Sequence, residues 1–365
     1  MKKHLKSLVG FIGALSWSLS ALLLASPALA TDDHAVVLLY HHVSNDTPAS
    51  TSVSPAILEK HLSYLEQHGF SVWALGRILK AIAEAQPLPK NTIAISFDDA
   101  NLSVYTEAFP RFQQRGWPFT LFVSTEAIDK GYKNYLNWDQ IRELAEAGIE
   151  IGNHSHSHAH LIRKLENESE SAWRQRISTD IRQASARLTT ETGITTELFA
   201  YPYGEYSEAL KKMVGAMGYL GVAQQSGAVG VDSDLLAVPR FPMATGYADM
   251  QRFIISINSR PLPVNSVVVE KGETKDERIN KLWLVLAKGG YNIKQLACYG
   301  ASGKPIPLTP GDELPRQFVL DLSGLGSVGR NKINCTAPAS DEAGVYYWYS
   351  YQWLMRRADG SWYEE

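Results

Sequence analysis

Four of the ten histidines in the chain fall within seven residues, in the run His154-Ser155-His156-Ser157-His158-Ala159-His160. A neutral imidazole is the commonest protein ligand for a transition metal. On a helical turn an i, i+4 pair points one way, so two ring nitrogens can reach one ion. His154/His158 and His156/His160 both have that spacing, and spacing alone leaves both pairs open. The plainer alternative is a polar, solvated loop of biased composition. A second stretch raises the same chemistry. Residues 91–97, Asn-Thr-Ile-Ala-Ile-Ser-Phe, read as a buried strand that runs straight into Asp98-Asp99. Two adjacent carboxylates at the end of an apolar strand are costly unless a cation lies between or beside them. Capping a following helix is the alternative use.

Taken together, Ser96-Phe97-Asp98-Asp99-Ala100 and Gly152-Asn153-His154-Ser155-His156-Ser157-His158 resemble the first two motifs of the NodB-type polysaccharide deacetylases, carbohydrate esterase family 4. The resemblance implies that Asp98 is a general base and that Asp99 and two histidines bind a divalent metal. The family's second motif, His-Ser/Thr-x-x-His, selects His154 and His158. Zn²⁺ is the foremost candidate, and His₂Asp also suits Co²⁺, Ni²⁺ or Fe²⁺. Phe199-Ala200-Tyr201-Pro202-Tyr203-Gly204 is similar to the third motif but departs from it: Ala200 stands where the family carries an Arg that pairs with the catalytic Asp. Arg240, in Pro239-Arg240-Phe241-Pro242-Met243, is placed as in the branch acting on poly-β-1,6-N-acetylglucosamine, and an Asp beside an Arg stays a carboxylate. Its plain alternative is a surface residue after a strand. The resemblance further implies that Tyr203 contributes its backbone N–H to an oxyanion hole. The general-acid His usual near the end of the catalytic domain is missing, because no His follows His160. The same branch has an early Tyr-His instead, and His41 in Leu38-Leu39-Tyr40-His41-His42-Val43 matches it. His42 is the rival, and strand alternation sends it to the opposite side.

These residues need a scaffold that brings them together. Apolar runs at 35–40, 91–97, 119–123, 149–152, 198–200, 221–223 and 237–240 read as strands. Helical patterns fall between them, at 55–68, 75–85, 104–115, 138–147, 168–190 and 207–217, with another at 249–257. Alternating strands and helices imply an α/β fold with a parallel sheet, and the resemblance implies the distorted (β/α) barrel of the NodB type. Functional residues belong at the carboxyl ends of such strands. His41, Asp98, Asp99, His154, His158 and Tyr203 each follow one. At 260–263, Arg-Pro-Leu-Pro, the pattern changes to short β-like runs at 282–286, 318–322 and 345–354. The reading is a catalytic domain over 31–263 and a small all-β C-terminal domain over 264–365. Run 345–354 holds six aromatic rings, with Tyr347, Tyr349, Tyr351 and Trp353 on one face and Tyr346 and Trp348 on the other. The second face is either a sugar-stacking platform or a joint against the catalytic domain.

Residues 1–30 read as a signal peptide: three lysines, an apolar run over 8–24, and Ala28-Leu29-Ala30 as the cleavage site. Their removal takes the formal charge from −3 to −6. Mild, dispersed acidity gives no reason to expect nucleic acid or an anionic membrane as partner. An exported protein, periplasmic or secreted and without a stable membrane anchor, has polysaccharide within reach as substrate. Cys298 and Cys335 are the two cysteines, able to form one disulfide if the fold brings them close. The expected activity is removal of N-acetyl groups from a GlcNAc-containing polysaccharide by metal-assisted amide hydrolysis. The alternatives are a glycan-binding pseudo-enzyme of the same fold, or a deacetylase acting on chitin oligomers, peptidoglycan or O-acetylated xylan. A binder has no need of both Asp98 and Asp99.

Overall fold

Six parallel strands form the frame of the computed structural model, which describes residues 31–364. The expected signal peptide lies outside the described residues. The strands are β1 (His34–Tyr40), β2 (Thr92–Phe97), β3 (Thr120–Val123), β4 (Glu150–Asn153), β5 (Leu198–Ala200) and β6 (Leu220–Val222). They lie in the order β6-β5-β4-β3-β2-β1, each parallel to its neighbour. All residues of β2 and β3 are buried. Strands covered on both faces need such apolar runs, which is why they are plain in the sequence.

The two ends of this sheet are laced together by one segment. β7 (Ala228–Gly230) runs antiparallel to the first half of β1, and β8 (Phe241–Pro242) runs parallel to its second half, with Phe241 opposite Leu38. Just upstream of β8, Val238 bridges β6 at Val222, also in parallel. Its N–H donates to the Gly221 carbonyl at 2.8 Å, and its carbonyl accepts from Ala223 N–H at 2.9 Å. Residues 238–242 therefore span from the last stave to the first, closing a distorted barrel. The strand expected over 237–240 is in fact this crossing segment, paired to β6 at one end and to β1 just beyond the other. Arg240 sits at its middle.

Period-two alternation then decides what faces inward. Ala35, Val37, Ala94, Phe122, Leu198, Ala200, Val222 and Val238 form one buried cluster with the helix Leu75–Ala83. The alternate residues, among them Leu38, Tyr40, Ile95, Phe97, Leu121 and Val123, pack with the helices Pro55–Gln67, Phe109–Arg115 and Trp138–Glu146. Ser54 caps the first of these, accepting from Ile57 N–H at 3.1 Å. Gly152 on β4 must be glycine for space. A Cβ there would lie 2.4 Å from the Phe122 ring.

From residue 260 onward the regular elements of the described structure are strands, apart from one short 3₁₀ turn at Ile293–Gln295. Arg260–Pro261 pairs with β10 (Tyr346–Met355), next to β9 (Gly329–Pro338), in a five-stranded sheet that ends at Ala297–Tyr299 and Pro305–Ile306. A four-stranded sheet of Val264–Lys271, Ile279–Leu286, Gln317–Asp321 and Leu308–Pro310 shares its core. Cys298 and Cys335 stand opposite each other in the ladder and are disulfide-bonded. Tyr347, Tyr349, Tyr351 and Trp353 pack with this core. Trp348, on the other face, meets Phe241 of the barrel edge-on at 5.2 Å. Among the described residues no helix is long and apolar enough to cross a membrane.

Candidate active site

Asp98 extends β2 by one residue, its N–H donating to the Tyr40 carbonyl at 3.0 Å. Alternation puts it on the side of Ala94 and Ser96, inside the barrel mouth. The small inward side chains of Ala94, Ser96 and Ala200 leave room there, and the Arg240 guanidinium fills it. Both Asp98 and Arg240 are completely buried. Their pairing is a fork: Nη1 donates to Oδ1 at 2.7 Å and Nη2 to Oδ2 at 2.8 Å. Nη1 also reaches Ser96 Oγ at 3.1 Å, and Nε donates to the Ala223 carbonyl at 2.9 Å. Burial alone would raise the Asp98 carboxyl. The Arg240 charge, followed by that of His154, outweighs burial and holds it below its usual range. The position expected to carry Arg, Ala200, is thus served from the lacing segment.

Asp99 and Ala100 both take left-handed backbone conformations, with φ of 74° and 59°. This turns the Asp99 side chain over the rim, and neither aspartate caps a helix. Two staves along, beyond β3, His154 continues β4, its N–H donating to the Val123 carbonyl at 3.0 Å. Asn153, facing outward, accepts from Ser155 N–H at 2.7 Å and donates to the Ile181 carbonyl at 3.0 Å. His154 to His160 is not a helical turn. Left-handed Ser155 and His158 fold it back, and Ser155 Oγ accepts from His158 N–H at 3.0 Å. The result still brings the two rings together. Asp99 Oδ1 lies 3.3 Å from His154 Nε2 and 3.2 Å from His158 Nε2.

The donor set fits a cation. His154 Nδ1 faces the Ala200 carbonyl at 2.8 Å, so Nδ1 carries the proton and Nε2 presents its lone pair. Asp99 Oδ1 and His154 Nε2 are buried without a hydrogen bond of acceptable geometry, although they lie close together. Two acceptors aimed at one point are what a metal ion satisfies. Electrostatics agree with this. Burial pushes His154 down, but Asp99 and Asp98 outweigh it and raise its pKa, so positive charge is favoured at that spot. Asp99 itself is held well below its ordinary range, because contacts with His154 and His158 overcome burial. Asp99, His154 and His158 could together hold a metal ion.

His156 and His160 go elsewhere. His156 uses both nitrogens, on Thr125 Oγ1 and Gln183 Nε2, each at 2.8 Å. His160 Nδ1 is bonded to buried Glu205 at 2.8 Å, and its ring stacks on Tyr203 with centroids 4.0 Å apart. The Tyr203 ring also lies 4.7 Å from that of His158. Tyr203 is left-handed (φ 59°) and so is Gly204, where a Cβ would strike Gln224 at 2.6 Å. His41 follows β1, and its charge acts on both Asp98 and Asp99. His42 also feels Asp99, yet burial outweighs this and lowers its pKa, so alternation does not take it out of electrostatic range. A cavity of about 1330 Å³ lies between the barrel and the C-terminal sheets, lined in part by Tyr206, Tyr349 and Tyr351. None of Asp98, Asp99, His154 or His158 lines it.

Missed in the sequence were the bonds that reach the Tyr203 turn from the far end of the chain. Arg330 Nη1 donates to the Tyr203 carbonyl at 2.6 Å and Gln352 Nε2 to the Gly204 carbonyl at 2.5 Å. The Tyr363 hydroxyl bonds Glu205. No local periodicity or motif marks these residues.

Residues 85–222 match the family model for polysaccharide deacetylase. That match agrees with the resemblance of the two acid and histidine motifs to the NodB-type polysaccharide deacetylases, carbohydrate esterase family 4. Among its relatives is the poly-beta-1,6-N-acetyl-D-glucosamine N-deacetylase of Escherichia coli (strain K12), 25% identical over 219 residues. That match covers 49% of this chain but only 32% of the relative. The enzyme of the same name from Staphylococcus aureus (strain MRSA252) is 24% identical over 209 residues, covering 55% of this chain and 71% of the relative. In fold, the chain is similar to IcaB from Ammonifex degensii. The TM-score is 0.53 at 24% identity, covering 60% of this chain and 94% of that structure.

Proposed function

We propose that this protein is a metal-dependent hydrolase that removes N-acetyl groups from a polysaccharide containing N-acetylglucosamine. The observation that carries the reading is the convergence of Asp99, His154 and His158 beside an Asp98 that Arg240 keeps ionised. Asp99, His154 and His158 would hold a divalent ion, Zn²⁺ foremost, which would supply Lewis acidity to lower the pKa of water and polarise an acetyl carbonyl. Asp98, as carboxylate, takes the proton of the attacking water. Its two oxygens accept from Arg240, so the carboxylate is held in one orientation and kept ionised, ready to take a proton. The Tyr203 N–H stabilises the negative charge that grows on the acetyl oxygen. His41 gives a proton to the departing amine, leaving glucosamine and acetate. The names of the relatives, both deacetylases of β-1,6-linked poly-N-acetylglucosamine, support that glycan as substrate.

The test is acetate release from acetylated glycans, β-1,6-linked poly-N-acetylglucosamine among them, with metal content measured on the same protein. Asp98→Asn is expected to keep its metal and lose about 10²–10⁴-fold in turnover, the usual contribution of one acid–base group. An Asp98→Asn protein with wild-type turnover would falsify the assigned role. A wild-type protein that binds these glycans without releasing acetate would favour the pseudo-enzyme.

A further inference from the structure

The turn Tyr203-Gly204-Glu205 is gripped residue by residue from the C-terminal part of the chain. Arg330 on β9 and Gln352 on β10 donate to the first two carbonyls. The Tyr363 hydroxyl bonds the Glu205 carboxylate, and Arg163 Nη1 donates to the Tyr363 carbonyl at 2.8 Å. The two sheet residues belong to one surface. In the β9–β10 ladder Arg330 faces Leu354 and Lys332 faces Gln352, so by alternation all four point to the same side. The opposite side, with Ile333, Cys335 and Trp353, belongs to the sheets' own core. Glu205 extends the grip inward: it is buried, it bonds His160, and the His160 ring lies flat on Tyr203.

A grip at this place has a consequence for chemistry. Tyr203 holds a left-handed conformation that a residue with a side chain adopts only when its surroundings enforce it. The Tyr203 N–H and carbonyl lie on the two peptide planes that meet at its Cα, whose relative orientation is set by φ and ψ. Holding the Tyr203 and Gly204 carbonyls anchors one side of this strained turn and so restrains the swing of the Tyr203 N–H on the other. A guanidinium donor makes the first of these bonds charge-assisted, the stronger kind.

We infer that Arg330 and Gln352 are positioning residues: the C-terminal β sheets act as a clamp that sets the Tyr203 turn for catalysis. The catalytic consequence rests on the deacetylase reading, whereas the clamp itself does not. Arg330 is exposed and Gln352 only half-buried, so shortening them leaves the core intact. The experiment is hydrogen–deuterium exchange on the full chain, comparing wild type with Arg330→Ala, Gln352→Ala and the double variant. Faster exchange confined to the segment around 201–206, with β2 to β4 unchanged, is the expected result. Unchanged exchange there in the double variant would overturn the proposal. Steady-state kinetics on the acetylated glycan give the second readout. Turnover should fall about threefold to tenfold in each single variant at unchanged KM, metal content and melting temperature, with partial recovery in Arg330→Lys. A double variant with wild-type turnover would also overturn it. If wild type releases no acetate, the deacetylase reading fails, and the exchange data still decide the clamp.

Discussion

Asp98 and Asp99 follow β2 and His154 follows β4, parallel strands with only β3 between them, whereas the Tyr203 turn beside them is held by side chains 127, 148 and 158 residues further along. On the strand side, placement follows from backbone pairing. Register with β1 and β3 fixes β2, register with β3 fixes β4, and period two sends Asp98 and His154 inward. On the turn side, position depends on a few long-range hydrogen bonds to carbonyls. The first arrangement is redundant, because losing one side chain leaves the ladder in place. The second is adjustable, and it is where a neighbouring sheet can influence the chemistry. Damage on the strand side should therefore remove function outright, and damage on the turn side should only tune it.

The sharpest break in the comparison lies within one turn. His154→Ala should leave the purified protein with little bound metal, because it deletes one of three converging groups. His156→Ala should leave metal content near stoichiometric, since His156 is engaged with Thr125 and Gln183. Elemental analysis of the two variants decides between them, and the reverse pattern would mean that the wrong pair was assigned.

Next in size is the buried Asp98–Arg240 pair. Arg240→Met leaves a carboxylate uncompensated in the barrel interior, and breaking a buried pair this way costs about 3–5 kcal/mol. Urea unfolding should register that loss. Adding Asp98→Asn should restore most of the stability, since no charge is then left buried, yet turnover should stay low. Failure of the second change to restore stability would mean that Arg240 matters as part of the closing segment more than as a counter-charge.

Much of the strand side was legible in the sequence, because what builds it is local. Apolar runs marked the staves, and the acids and histidines followed them directly. Arg240 was found through its resemblance to a family branch, while its structural reason was hidden: 238–242 is a crossing between two strands that are distant in sequence, and Arg240 itself lies in neither ladder. The strand pattern of β9 was missed because only alternate residues there are buried, with Arg, Lys and Asn between them. Arg330 was invisible for the same reason, as an exposed basic residue in a polar-looking stretch. What it touches is set by how two sheets dock, and nothing within ten residues of it encodes that.

The smallest expected effect comes from comparing two buried histidines that the fold treats oppositely. His154 is raised, because Asp99 and Asp98 outweigh its burial. His61, on the helix Pro55–Gln67, is fully buried under the barrel's outer face, and burial pushes it down to about 4. Its contacts suit the neutral ring. Nε2–H donates to the Ala248 carbonyl and Nδ1 accepts from the Tyr40 hydroxyl, both at 2.9 Å, while the ring stacks on Phe253 at 3.9 Å. Protonating Nδ1 would turn an acceptor into a second donor and place a charge where nothing solvates it. The folded pKa lies below the unfolded value of about 6.5, so the unfolded chain binds the proton more readily. The stabilisation is complete above about pH 6.5, fades as pH falls, and levels off below about 4. At about 1.4 kcal/mol per pKa unit, the loss across that window is about 3 kcal/mol. Unfolding free energies of wild type and His61→Gln at pH 7 and pH 4 give the test. Wild type should lose about 3 kcal/mol more than the variant between the two. Equal losses would mean that His61 stays charged inside the fold, in which case the outer face would hold a buried imidazolium with no carboxylate bonded to it.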